Sequence, residues 1–147
     1  MLQYPVKEGS AGEMALRKGT ETVLVVDDEA LIAELVQDSL ARHGYIVLTA
    51  ASGEEALSLY QQHAGTIAAV ILDIRMPNLD GFETFRRLRA IDAGARIIIS
   101  SGYDHERDKG RLLKEGVSAF LDKPYRLDEL IRTVGTVIEG TSDKRRK

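Results

Sequence analysis

From about Thr20 to Glu139 the chain alternates between short, nearly unbroken apolar runs and longer stretches in which apolar residues recur every three or four positions. Runs of the first kind, at residues 23–26, 46–48, 67–72, 96–100 and 119–121, predict five strands. Three of them are almost continuously apolar, as strands covered on both faces are.

The intervening stretches carry helical faces and helix starts. Leu31, Ile32, Leu35, Val36 and Leu40 form one apolar stripe, which Gly44 ends after Arg42 and His43. Ser52 with Glu55, and Asp80 with Glu83, each place a capping side chain three residues before an acid, the mark of a helix N-terminus. Leu127, Leu130, Ile131, Val134, Val137 and Ile138 make the clearest helical face. By contrast, residues 104–111 are almost wholly polar and include Gly110. A fourth helix there has only Leu112 and Leu113 to anchor it and should be short or mobile. Strands alternating with helices predict an α/β fold, a five-stranded parallel sheet flanked by five helices.

Composition narrows the class without changing this picture. The 147 residues are 44% hydrophobic and 29% charged, ordinary for a globular chain of about one domain. There is no cysteine, so disulfides, thiolate metal sites and cysteine nucleophiles are excluded. No apolar run approaches the ~20 residues that span a bilayer, and the first thirty residues lack the apolar stretch of a signal peptide, so a cytoplasmic protein without membrane insertion is expected. The net charge of −3 combines slightly basic ends with an acidic body. Direct nucleic-acid binding is therefore not expected, because phosphate recognition needs a positive footprint on the folded surface. Residues 1–20 read as a flexible arm or linker, 21–139 as the folded domain, and 140–147 as a basic, flexible tail.

The chemistry lies at the strand ends. Four strands deliver polar residues at their carboxyl ends: Asp27 and Asp28, Asp73, Ser100 and Ser101, and Asp122 and Lys123. In an open parallel sheet these ends share one rim, where ligands bind. Any one of them could simply mark where a strand meets water, but four together are hard to explain that way. Three carboxylates about 4 Å apart would repel by about 4 kcal/mol per pair, so a cation must accompany them. Lys123 and a hard divalent ion such as Mg²⁺ are the two candidates. A carboxylate held beside such cations can serve as a nucleophile toward phosphorus, with Ser101 as a hydrogen-bond donor to a phosphoryl oxygen.

The set formed by residues 23–29 (VLVVDDE), residues 72–77 (LDIRMP) followed by Asp80-Gly81, Ser101-Gly102 and Lys123-Pro124 resembles the ordered motifs of receiver domains of two-component response regulators. The resemblance covers residues 20–139, and the spacings of 28 residues from Asp73 to Ser101 and 22 from Ser101 to Lys123 are similar to that family's. It implies a flavodoxin-like, doubly wound sheet of strand order 2-1-3-4-5. It implies that Asp73 accepts a phosphoryl group from a histidine kinase or phosphotransfer protein. Asp27, Asp28, Asp73 and the carbonyl of Arg75 would hold Mg²⁺, and Lys123 would precede a cis bond to Pro124. Ser101 and Phe120 would be switch residues remodelling the face of the fourth helix, fifth strand and fifth helix. That face would bind a downstream protein partner or a second copy in a phosphorylation-dependent homodimer. Such a chain is a phosphoacceptor signalling domain that promotes its own phosphorylation and dephosphorylation, not an enzyme with an external substrate. The segment from Leu2 to Val6 and Gly19 to Thr22 is also similar to the join ahead of a C-terminal receiver in hybrid histidine kinases.

Other readings fit less well. A haloacid-dehalogenase-like phosphatase needs an acid two residues after the nucleophile, where Arg75 stands. A flavodoxin-like phosphate cradle would be repelled by Asp27, Asp28 and Glu29. A receiver-like docking module that is never phosphorylated is the main alternative. His43, His63 and His105 fall at predicted helix ends and share no face. Arg75 and Tyr103 flank the path of attacking water and should slow acyl-phosphate hydrolysis. Tyr125, where the family more often has Phe, is expected to pack at the base of the last helix with its hydroxyl in water.

Overall fold

The computed structural model describes residues 20–76, 80–102 and 106–146. Most of the expected N-terminal arm, Pro77 of the third-strand motif, Tyr103 and His105 lie outside the described residues. The elements are β1 (Thr22–Val26), α1 (Ala30–Arg42), β2 (Ile46–Ala50), α2 (Gly53–Gln62), β3 (Ile67–Asp73), α3 (Gly81–Ile91), β4 (Ile97–Ser101), α4 (Glu106–Lys114), β5 (Ala119–Asp122) and α5 (Leu127–Arg146). All strand pairs are parallel, in the order β2-β1-β3-β4-β5. The expected α/β architecture and strand order are therefore present, with each strand boundary within two residues of its prediction.

Period-two alternation divides the core into two layers. Leu24, Val26, Val70, Leu72, Ile97 and Ile99 face α2, α3 and α4, where Tyr60, Phe85, Leu88 and Leu112 meet them. Val23, Val25, Ala69, Ile71 and Ile98 face α1 and α5, against Val36, Leu40, Leu130 and Val134. The chain passes from edge strand β2 over β1 to β3, so the connections leaving β1 and β3 diverge above their carboxyl ends. Ligands of open parallel sheets bind at such a divergence.

Some helix faces differ from the sequence pattern. Leu31 is 80% exposed and Leu35 is also exposed, so α1 packs through Ala33, Val36, Ser39 and Leu40 instead of the full stripe. A 13-residue helix laid on a sheet edge presents only one narrow face to the core, and Leu31 and Leu35 lie outside it. In α4, Leu112 is buried but Leu113 is 61% exposed, leaving a single apolar anchor in a nine-residue helix. The last helix continues to Arg146 instead of ending near Glu139, where the apolar recurrence stops.

The α4 anchor is supplemented by Arg89 of α3. Its guanidinium donates to the carbonyls of Ala95 at 2.9 Å and Gly116 at 2.7 Å, and lies over the Phe85 ring. The turn after α4 is thereby tied to α3. Gly116 sits at φ +89°, and a Cβ there would also crowd this guanidinium.

The predicted caps form. Ser52 Oγ accepts the Glu55 N–H at 3.1 Å, and the Glu55 carboxylate accepts the Ala51 N–H at 2.8 Å. Ser52→Ala should lower stability by about 1 kcal/mol, read as a lower urea midpoint at unchanged slope; an unmoved midpoint would show that water replaces the cap.

Candidate functional site

Alternation sends the end of each central strand toward the α1–α5 side of the sheet. Asp27 continues the face of Val23 and Val25, and Asp73 continues that of Ala69 and Ile71. Both carboxylates are buried, while Asp28 is exposed. One oxygen from each of the three lies within 4.8 Å of the others, the sole carboxylate or histidine cluster of this kind among the described residues. Lys123 enters from the segment after β5. Its backbone N–H donates to the Ser101 carbonyl at 2.9 Å, and its peptide bond to Pro124 is cis, as expected. Its ammonium stands 3.0 Å from Asp27, 3.2 Å from Asp73 and 3.4 Å from Glu29.

These contacts set the charge state. Burial pushes the Asp73 carboxyl up to about 6, against the pull of Lys123 and the Arg75 N–H, which donates to Asp73 Oδ1 at 3.1 Å. Burial also disfavours the Lys123 ammonium, but the Asp27 hydrogen bond and the charges of Asp73 and Asp27 outweigh it and hold its pKa well above the usual lysine value. At neutral pH Lys123 is therefore charged and Asp73 mostly ionised. Three carboxylates and one ammonium leave the pocket electronegative. Its donors are all hard oxygens, a set suited to Mg²⁺ and not to a soft metal.

Ser101 and Phe120 do not join this cluster. Ser101 follows Ile97 and Ile99 toward the α2–α4 side, where half-buried Phe120 packs against the same core layer. Lys109 of α4 stands 5.5 Å over the Phe120 ring and 3.7 Å from Asp122. The Arg75 side chain is exposed, and His43 Nδ1 is engaged with the Ser39 carbonyl at 3.0 Å, closing α1.

Tyr125 corrects an expectation. Its hydroxyl is not in water but forms a hydrogen bond with the fully buried Ser100 Oγ. A serine inside an isoleucine-rich buried strand needs a partner, which was a signal for this contact; nothing in the sequence pointed to Tyr125 as that partner. The Glu29 contact to Lys123 was likewise missed.

The family model for the response regulator receiver domain matches residues 23–135. The chain belongs to the response regulator receiver domains. It is 37% identical over 122 residues to a probable transcriptional regulator, ycf27, of Guillardia theta, covering 83% of this chain and 47% of that one. It is 35% identical over 121 residues to the sensor kinase CckA of Brucella abortus, covering 82% and 13%. Among solved structures, a complex of CheX, CheY, BeF3 and Mg²⁺ from Borrelia burgdorferi superposes with a TM-score of 0.76 at 31% identity, over 80% of this chain and 88% of that one. The receiver thus spans about half the length of the curated relatives that it matches first. No helix among its described residues is long and apolar enough to cross a membrane.

Proposed function

We propose that this receiver is a phosphoacceptor. The observation that carries the reading is a buried carboxylate, Asp73, held 3.2 Å from a lysine ammonium beside two further carboxylates. An oxygen of Asp73 attacks the phosphorus of a phosphohistidine on a histidine kinase or phosphotransfer protein. The P–N bond breaks, its electron pair stays on the imidazole nitrogen, and an aspartyl phosphate forms. Asp27, Asp28, Asp73 and the Arg75 carbonyl would hold Mg²⁺, which when bound offsets the negative charge gathering on the phosphoryl oxygens. Lys123 pairs with one of those oxygens. Hydrolysis, in which water attacks the phosphorus, returns the carboxylate and releases phosphate.

The aspartyl phosphate brings three new acceptors to the pocket, and donors that turn toward them are stabilised. The Ser101 hydroxyl, on the last residue of β4, is the donor that turns toward them, and Phe120 follows it inward. Phe120 packs under α4, so its movement alters the α4–β5–α5 face, where a downstream protein or a second receiver binds. This takes place in the cytoplasm without direct contact to nucleic acid.

Incubation with acetyl phosphate, with and without Mg²⁺, followed by intact mass measurement tests the reading. The wild type should gain one phosphoryl group only with Mg²⁺, and Asp73→Asn should gain none. A wild type that stays unlabelled while a control receiver is labelled would overturn it in favour of a docking module.

A further inference from the structure

The Ser100–Tyr125 contact has a place in the site that goes beyond filling the core. Asp73 and Ser100 are register partners on adjacent parallel strands, so their side chains are neighbours on one face. Ser100 is fully buried there, below Asp73's side of the rim. Tyr125 packs against the same α1–α5 core layer and meets Ser100 hydroxyl to hydroxyl. Burial, above all, pushes the Tyr125 hydroxyl up to about 12, so it is neutral at physiological pH.

Tyr125 is two residues beyond Lys123. The segment that carries the ammonium is therefore fastened to β4 twice, by the Lys123 N–H on the Ser101 carbonyl and by the Tyr125 side chain on Ser100. That double attachment matters because the ammonium has three carboxylates within 3.4 Å. Asp27 and Glu29 both compete with Asp73 for it, and a lysine on a flexible stem follows whichever it can reach. Fixing the base of the stem limits that choice.

We propose that the Ser100–Tyr125 hydroxyl pair is a positioning device for Lys123, holding its ammonium where it serves Asp73 during phosphoryl transfer. The inference rests on the phosphoacceptor reading, in which Lys123 meets the incoming phosphoryl group. Ser100 and Tyr125 touch no reacting atom and act only through the lysine.

The test compares Ser100→Ala, Tyr125→Phe and the double variant in the full chain. Labelling by acetyl phosphate with Mg²⁺ is followed over donor concentration, alongside urea unfolding and the NMR signal of the Lys123 ammonium in metal-free protein. Each single variant should label about tenfold more slowly at saturating donor, with little change in the half-saturating concentration. The ammonium signal should broaden as its exchange with water speeds up. In the double variant no hydroxyl is left buried alone, so stability should recover toward wild type while labelling stays slow. Labelling that recovers with stability, or an ammonium signal unchanged in all three, would overturn the positioning role and leave a packing contact. A wild type that takes no label would instead overturn the phosphoacceptor reading, and this inference with it.

Discussion

Gly81→Ala should destabilise the domain by about 3 kcal/mol, although alanine is the better helix former by about 1 kcal/mol. A Cβ on Gly81 would stand 2.5 Å from Ile74 Cα, 2.7 Å from the Asp73 carbonyl oxygen and 2.9 Å from the Ile74 carbonyl carbon. All three are backbone atoms, which cannot swing aside. The approach is fixed by the Gly81 N–H, which donates to the Ile74 carbonyl at 3.2 Å. Relief requires either that α3 back away, loosening Phe85 and Leu88, or that the chain leaving β3 shift and carry Asp73 with it. Both responses should be measurable, one as a lower urea midpoint and the other as slower labelling by acetyl phosphate. A variant as stable as wild type would mean that the first turn of α3 yields more easily than its contacts indicate.

Asp73→Asn should stabilise the metal-free protein at pH 7 by up to about 3 kcal/mol, the linkage value of a carboxyl raised from 3.8 to about 6. The folded state binds this proton more tightly than the unfolded state does. Folding therefore takes up a proton between the two pKa values, and wild-type stability falls as pH rises from about 4 through 6. Asparagine has no such dependence. The gap between variant and wild type should be near zero at pH 3.5, grow to pH 6–7 and then level off. Urea midpoints of both proteins in EDTA across that range check it, and a gap independent of pH would show that Lys123 already compensates the buried charge. Added Mg²⁺ should narrow the gap by favouring the ionised wild type.

Most of what builds the rim could be read from residue order alone. Apolar runs locate the strands because a buried parallel strand leaves no room for alternation, and the polar residues that end them fall on a common rim whatever the helices do. Asp27, Asp28, Asp73 and Lys123 were legible for that reason. Helix packing was less so. Leu31 and Leu35 match the helical period as well as Val36 does, and only the seating of α1 on the sheet decides which of them is covered. Contacts between side chains far apart in sequence were least visible. Tyr125 reads as an aromatic at a helix base until β4 is placed beside it, and the three-way competition for Lys123 depends on distances that spacing does not encode.

Arg89 gives α4 unequal ends. Its guanidinium fastens the turn at Gly116, and Leu112 plugs the core one turn earlier, so the C-terminal end of the helix behaves as a pivot. The other end begins at Glu106, five residues beyond the last residue of β4. A nine-residue helix is about 13 Å long, and a tilt of about 10° around that pivot carries its far end by about 2 Å. On the phosphoacceptor reading the helix would serve as a lever whose long arm is the end turned toward the β4 rim in sequence. A tilt that leaves the sheet undisturbed would then still reshape the outer surface by an amount that another protein can feel.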